Sequence, residues 1–369
     1  TYTNPSSLVI STPFGTANVN IRTTDGTTFN QNYTITQGTA QEIPLTYDLV
    51  QTPNYNTTET NRGLIVESDQ LVQVVYRIAA DNNKMMVTIK GEQALGQWFR
   101  VASQTNVCDA PNTDKRENHF ISVMAVEDNT TVNFDFKAPM KGLGSTHQVT
   151  LDAGETYLVI DDDNNQTVTG SLVTANRTIA VVSGSQHSRQ CSDSGRDGGA
   201  DQLIPTCGLG SNYVISRGQD NDDPSQANYA VIVGVTENTQ IFIDGNTTPV
   251  ATIGPGEYHT YNMPSPDFSN HYIQTSEPAY VYQFGSIMTN GEIGMAIASP
   301  IDGCRGDRYI EFFKFPGAPT NNTTFIIPDA GLASLTLNGT PYANFGISPQ
   351  PIPGLAGWST VTFSETDMN

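Results

Sequence analysis

Apolar residues in this chain fall in short alternating runs. Residues 72–78, 132–136, 240–244, 280–284 and 335–337 each carry an apolar side chain at every second position. A period of two sets one face of a strand on a core and the other in water. No window repeats apolar residues at i, i+3, i+4 and i+7 over three turns, so helices are not expected. Gly, Pro, Asn and Asp interrupt the runs, as turns between strands require. The pattern predicts an all-β protein built of short antiparallel strands.

The runs repeat. Gly208-Leu209-Gly210-Ser211-Asn212-Tyr213-Val214-Ile215 has weaker counterparts in Leu95-Gly96-Gln97-Trp98-Phe99-Arg100-Val101 and Arg305-Gly306-Asp307-Arg308-Tyr309-Ile310. An apolar strand follows, at residues 120–126 in one copy and 229–235 in the next. Then comes an acidic turn, Glu127-Asp128-Asn129-Thr130 against Thr236-Glu237-Asn238-Thr239. Asn tolerates positive φ and Asn/Asp side chains cap their own turns, which predicts a tight hairpin there. A Gly-Glu turn follows at Gly154-Glu155 and Gly256-Glu257, and a closing pair of strands ends the unit. A period of roughly a hundred residues marks a duplicated unit. The expected division is 1–94, 95–208, 209–304 and an incomplete fourth unit, 305–369. The fourth lacks closing strands, which predicts that the natural protein continues past Asn369. Tandem antiparallel β-sandwich-like repeats are the expected architecture; a β-propeller, usually of shorter period, is the alternative.

Composition narrows the function. Acidic residues number 37 and basic ones 17, a formal charge of −20. Nucleic-acid phosphates and anionic membrane surfaces call for a basic face, so neither is an expected partner. Only 15% of residues are charged while Asn, Thr, Gly and Pro abound. Such chains are typical of extracellular β-proteins. No apolar run reaches the roughly 18 residues of a membrane span. The first residues, Thr1-Tyr2-Thr3, show neither an initiating Met nor a signal segment, as expected of a processed or excised piece.

The segment Val182-Ser183-Gly184-Ser185-Gln186-His187, then Cys191, Asp201-Gln202-Leu203-Ile204-Pro205 and Gly210-x-x-Tyr213-Val214, resembles the IgGFc-binding N-terminal domain family. The turns 127–132 and 154–157 are similar to family features as well, and the likeness runs over roughly residues 8–327. The loop 188–200 departs from the family in carrying one cysteine where a pair is common. The resemblance implies a secreted binding or structural module. Similar domains occur in very large surface proteins of Bacteroidetes-type bacteria, often with a secretion and gliding-associated C-terminal domain. The Asn/Thr-rich, cysteine-poor composition is closer to that branch. No residue identifies an Fc contact, and fold likeness alone does not establish a ligand.

Candidate chemistry is sparse. His119, His147, His187, His259 and His271 are scattered, and no His-Glu-x-x-His, Gly-x-Ser-x-Gly or phosphate-cradling loop occurs. His187 and Cys191 could pair, or could be an ordinary loop histidine beside a disulfide cysteine. Asp161, Asp162 and Asp163 form one carboxylate cluster, and Asp220, Asp222 and Asp223 another. Such clusters suit calcium, although neither has the spacing of an EF-hand and solvated hairpin tips are the favoured reading of both. No other cofactor is expected. Arg305-Gly306-Asp307 matches an integrin-binding tripeptide, yet Gly306 is already explained by the repeat. Asn-x-Ser/Thr triplets at Asn32, Asn56, Asn129, Asn165, Asn176, Asn246 and Asn322 matter only in a eukaryotic secretory host. Trp98, Trp358, Tyr258 and Tyr261 could stack on sugars or serve packing. A disulfide between Cys191 and Cys207 would close a loop of about 15 residues, for roughly 3 kcal/mol; Cys108 and Cys304 are left without an assigned pairing. The expected function is a non-catalytic extracellular module of a cell-surface adhesin or filament, with a surface glycan, a mucin or a neighbouring subunit as partner. The alternative is a secreted carbohydrate-active enzyme or its accessory domain, which needs two carboxyl groups about 5–10 Å apart.

Overall fold

The computed structural model describes residues 6–50, 54–80, 83–105, 118–162, 166–189, 195–218, 228–286, 292–302, 309–310 and 322–368. They are almost entirely β, in antiparallel sheets. No helix among them is long and apolar enough to cross a membrane.

The first unit holds β1 (Ser6–Ser11), β2 (Thr16–Arg22), β3 (Asn30–Thr36), β4 (Gln41–Leu45), β5 (Thr58–Glu59), β6 (Ile65–Ser68), β7 (Gln73–Ala80) and β8 (Asn83–Ile89). Its sheets run β4-β1-β7-β8 and β3-β2-β6, closing on Leu8, Ile10, Val19, Ile21, Ile35, Ile43 and Leu45. The second holds β9 (Gly96–Arg100), β10 (His119–Ala125), β11 (Thr130–Asp135), β12 (Thr146–Leu151), β13 (Thr156–Ile160), β14 (Leu172–Ser188) and β15 (Asp197–Gln202). The third holds β16 (Gly210–Ser216), β17 (Asn228–Gly234), β18 (Thr239–Ile243), β19 (Ala251–Ile253), β20 (Tyr258–Asn262), β21 (Asn270–Ser286) and β22 (Ile293–Ile297). The fourth has β23 (Thr323–Pro328), β24 (Thr336–Leu337), β25 (Thr340–Pro341), β26 (Gln350–Ile352) and β27 (Leu355–Phe363).

The second and third units have the same topology. Their sheets run β12-β11-β14-β10-β13 and β19-β18-β21-β17-β20, with β9 and β15, or β16 and β22, on the other edge of the long strand. Each wraps into a nearly closed, barrel-like sheet rather than the four-stranded blade of a propeller. The closing pair of strands expected from sequence is here one strand, β14 or β21, of 17 residues. Its first half pairs with β11 and β9, its second half with β10 and β15, and the register to β9 shifts between Thr174 and Ile179. A bulge lets one strand bend from one half of the sheet into the other. The first unit keeps the two halves as separate strands, β6 and β7.

The acidic turns also differ from expectation in one respect. Asn129 and Asn238 do adopt positive φ, 55° and 58°. Yet β10 pairs with β13 and β14, not with β11, so the turn carries the chain between sheet halves instead of closing a hairpin. The Thr130 hydroxyl caps it by donating to Glu127 O (2.6 Å), as the Thr239 hydroxyl does to Thr236 O (3.1 Å).

The Gly-x-x-aromatic motif is a corner. Tyr213 OH accepts from Gly210 N–H (3.1 Å) and donates to Ala279 O (2.6 Å). A methyl on Gly210 would overlap Pro300 and Asp302; one on Gly96 would overlap Pro205. Phe99, fully buried, takes the place of Tyr213 in the second unit.

The units are not separate beads. Every residue of β17 is buried, because Ala230 and Ile232 face the core of the third unit while Tyr229, Val231 and Val233 complete that of the second. Along β21, Tyr280, Tyr282 and Phe284 do the same, packing with Phe99, Phe134, Val173 and Val181. Tyr280 OH donates to Ile204 O (2.6 Å) and Tyr282 OH to Arg100 O (2.8 Å), so the buried phenols are satisfied by the neighbouring unit. Desolvation raises the pKa of both, which keeps them protonated.

Candidate functional site

The joint between units recurs. The turn glycines Gly154, Gly256 and Gly354 have φ of 78°, 74° and 73°, a left-handed backbone that favours glycine. Each lies against the preceding unit. A methyl on Gly154 would overlap Thr24, one on Gly256 would crowd Gly170 O and Arg100, and one on Gly354 would overlap the Asp244–Gly245 backbone. The local build is shared too. Glu155 Oε2 accepts from Asp152 N–H (2.8 Å), and Glu257 Oε2 from Gly254 N–H (2.8 Å). The Pro353-Gly354 turn was not singled out in the sequence, because Leu355 stands where the other two copies have Glu. Its spacing from Pro255-Gly256 was the available signal.

At the joint of the second and third units a cleft of about 930 Å³ opens. Thr105, Lys137, Gln166, Thr167 and Thr169 line it from the second unit; residues 251–253 and 256–259 line it from the third. Two of its lining residues, Thr167 and Thr169, belong to a hydroxyl network. Ser103 Oγ lies 2.8 Å from Thr167 Oγ1, which lies 2.7 Å from Thr169 Oγ1, and the Thr169 hydroxyl donates to Ser103 O (2.9 Å). Thr105 Oγ1 reaches Thr260 Oγ1 across the joint at 3.4 Å. Lys137, Glu257 and Tyr258 are exposed at its edge, and burial lowers the pKa of His259, favouring neutral imidazole. Among the described lining residues the cleft has one carboxylate, Glu257, already engaged by the turn. The arrangement offers hydroxyls, one cation and an aromatic edge; a glycosidase needs a second carboxyl group.

Asp161 is buried on the strand-like stretch opposite Met140, its N–H donating to His119 O (2.9 Å). Asp162 is exposed, its N–H donating to Pro139 O (3.0 Å). Asp163, Asp220, Asp222 and Asp223 lie outside the described residues, as do Cys108, Cys191, Cys304 and Arg305-Gly306-Asp307. No group of three or more metal-ligating side chains occurs among the described residues. Cys207 is a free, exposed thiol on a short turn.

The histidines stay apart. His119 Nδ1 lies 2.7 Å from Ser185 Oγ in the interior, His147 Nε2 2.9 Å from Tyr157 OH, and His271 Nδ1 3.0 Å from Asp244 Oδ2. Of the four aromatics, Trp358 packs with Val214 and Tyr272 at the joint of the third and fourth units. Tyr261 OH meets His271 Nδ1 at 3.1 Å. Tyr258 stands on the cleft edge and Trp98 is 57% exposed on β9.

Neither a curated protein nor a solved structure matches the chain. The model of the family described as IgGFc binding protein matches residues 84–368, which include the second, third and fourth units and the whole of the cleft. The chain belongs to the IgGFc binding protein family.

Proposed function

We propose that this chain is a non-catalytic binding and scaffolding module of an extracellular surface protein, and that the cleft at the second joint seats a polypeptide segment of its partner. The cleft carries the reading: it is open and polar, and it is held between two units that share one core, so it is preorganised. The family name points to a protein partner such as the Fc region of IgG. Mucin, a glycan or a neighbouring subunit are the other partners consistent with an acidic adhesin or filament module. Hydrolysis of a carbohydrate is the less supported reading, because the described lining residues supply one carboxylate.

Binding of the intact chain to IgG Fc and to mucin tests this by surface plasmon resonance, with Lys137→Ala, Thr252→Arg and Tyr258→Ala as cleft variants. All three side chains are exposed, so folding should be spared. Loss of about tenfold or more in affinity for one partner at unchanged melting temperature is expected of an interface anchor. Wild-type affinity in all three variants would remove the cleft from the binding surface. Calcium at Asp161–Asp163 or Asp220–Asp223 belongs to the same proposal. It would raise the melting temperature in millimolar Ca²⁺ relative to chelator, and equal melting temperatures would rule out a structural ion.

A further inference from the structure

Trp98 lies in a row that crosses four strands. It pairs with Thr174 on β14, Thr174 with Asn133 on β11, and Asn133 with Gln148 on β12. The opposite face of these strands is core, with Phe99, Val132, Phe134 and Val173 buried. The row is therefore the outer face of the sheet. A concavity of about 630 Å³ lies over the part of the row on β14, β11 and β12, lined by Asn133, Asp135, Thr146, Gln148, Leu172 and Thr174 among others, and Trp98 continues the row on β9. None of these residues lines the cleft at the joint.

We infer that this face is a binding platform for a neutral polysaccharide, with Trp98 as the stacking surface and Asn133, Gln148 and Asp135 as the polar anchors. The indole is 57% exposed and makes no ring or hydrogen-bond contact among the described residues, so packing does not account for it. Gln148 Nε2 donates to Asn133 Oδ1 at 2.6 Å, which orients both amides. Asn133 Nδ2 and Gln148 Oε1 have no partner among the described residues. The pair thus offers one oriented donor and one oriented acceptor beside the Asp135 carboxylate, a set that matches neighbouring sugar hydroxyls. The apolar C–H face of a pyranose fits the indole, an amphipathic platform. Three strand spacings of about 4.8 Å make the row long enough for a short oligosaccharide. Charge selects the ligand class: the Arg100 guanidinium offsets the Asp135 charge on this face, and the formal charge of −20 over the chain disfavours sulfated or sialylated chains. In the corresponding row of the third unit, Phe242–Gln274–Asn212, the place of Trp98 is taken by Asn212, which is bonded to Asp302 and Tyr272.

Affinity electrophoresis of the intact chain through gels containing dextran, xylan or galactomannan tests the assignment, with heparin and sialylated mucin as anionic comparisons. At least one neutral polysaccharide should retard the protein more than either anionic polymer. Trp98→Ala should weaken that retardation about tenfold and Trp98→Phe less, as a stacking surface requires. Asn133→Ala should weaken it too, while Trp358→Phe should leave it unchanged. Melting temperatures measured alongside separate lost binding from lost folding. The assignment is overturned if no neutral polysaccharide retards the protein, if Trp98→Ala migrates as wild type, or if heparin binds best. It is overturned equally if Trp98→Ala abolishes binding to IgG Fc while no polysaccharide binds, which would make the face a protein interface. Loss of polypeptide binding in the cleft variants alone would leave it standing.

Discussion

At the scale of single residues, glycines set the joints. Gly170 has φ of 89°, and a methyl there would overlap the carbonyl oxygen of Gly256. Gly170→Ala should cost about 1–3 kcal/mol for strained backbone and a similar amount for displacing a packed neighbour. Gly26, with φ of 63° and open space around it, is the control; its alanine variant should lose only about 1 kcal/mol. Urea denaturation of both variants reads the difference, and equal losses would mean that the joint yields freely. His119 sets a pH response. Burial holds its pKa down at about 4, and its Nε2 has no hydrogen-bond partner among the described residues. The unfolded chain takes up the proton near pH 6.5 while the folded chain does not, so stability falls as pH drops from about 6.5 to 4, by up to about 3 kcal/mol. His119→Asn should flatten that part of the stability–pH curve, leaving a smaller slope from His147 and His259, whose pKa values burial also lowers. An unchanged slope in denaturant midpoints would exclude His119 as its source.

At the scale of elements, β15 ties three units together. Lys90 Nζ forms an ion pair with Asp201 Oδ1, and Lys90 N–H donates to Gln202 Oε1 at 2.6 Å. Asp201 Oδ2 accepts from Ile297 N–H of β22 at 2.9 Å. Desolvation lowers the pKa of Lys90 and the Asp201 charge opposes that, so the pair is a partly buried clamp. Asp201→Ala leaves Lys90 without its counter-charge and Ile297 N–H without its acceptor. The expected loss is the lower end of the about 3–5 kcal/mol of a broken buried pair, since Lys90 keeps some solvent access. Lys90→Met combined with Asp201→Ala should recover part of it. A double-mutant cycle by chemical denaturation measures the coupling, and strictly additive losses would show that the clamp is not an interaction.

At the scale of the whole molecule, the core of the second unit extends onto the third, while the first and third units each have a further core of their own. Without Tyr229, Tyr280, Tyr282 and Phe284 the core of the second unit is incomplete, and β17 and β21 carry both cores on their two faces. β9–β22 should therefore exchange their backbone amides as one cooperative block, with β1–β4 and β6–β8 able to open at lower free energy. Native-state hydrogen exchange measures this; separate opening of β16–β22 from β9–β15 would show two independent cores.

The sequence by itself determined the all-β class, the repeat and the positive-φ asparagines, because period-two alternation, turn chemistry and recurrence are local properties of the chain. The correspondence of strands between the second and third units was legible too, but not their pairing, since the expected hairpin at the acidic turn and the expected closing pair are absent. What only the tertiary structure decided is which face of each strand met which unit. The alternating residues of β17 serve two cores, a distinction that apolarity does not carry, since Val231 and Ile232 look alike in sequence. The union of two expected strands into β14 depended on a register shift between pairing partners distant in the chain. The cleft, the Asp201 clamp and the row from Trp98 to Gln148 unite residues of separate strands or units, and no spacing along the chain encodes such convergence. Trp98 shows the limit most plainly: its residue type suggested a sugar contact or a core position, and only the pairing of β9 with β14 put it on an open face.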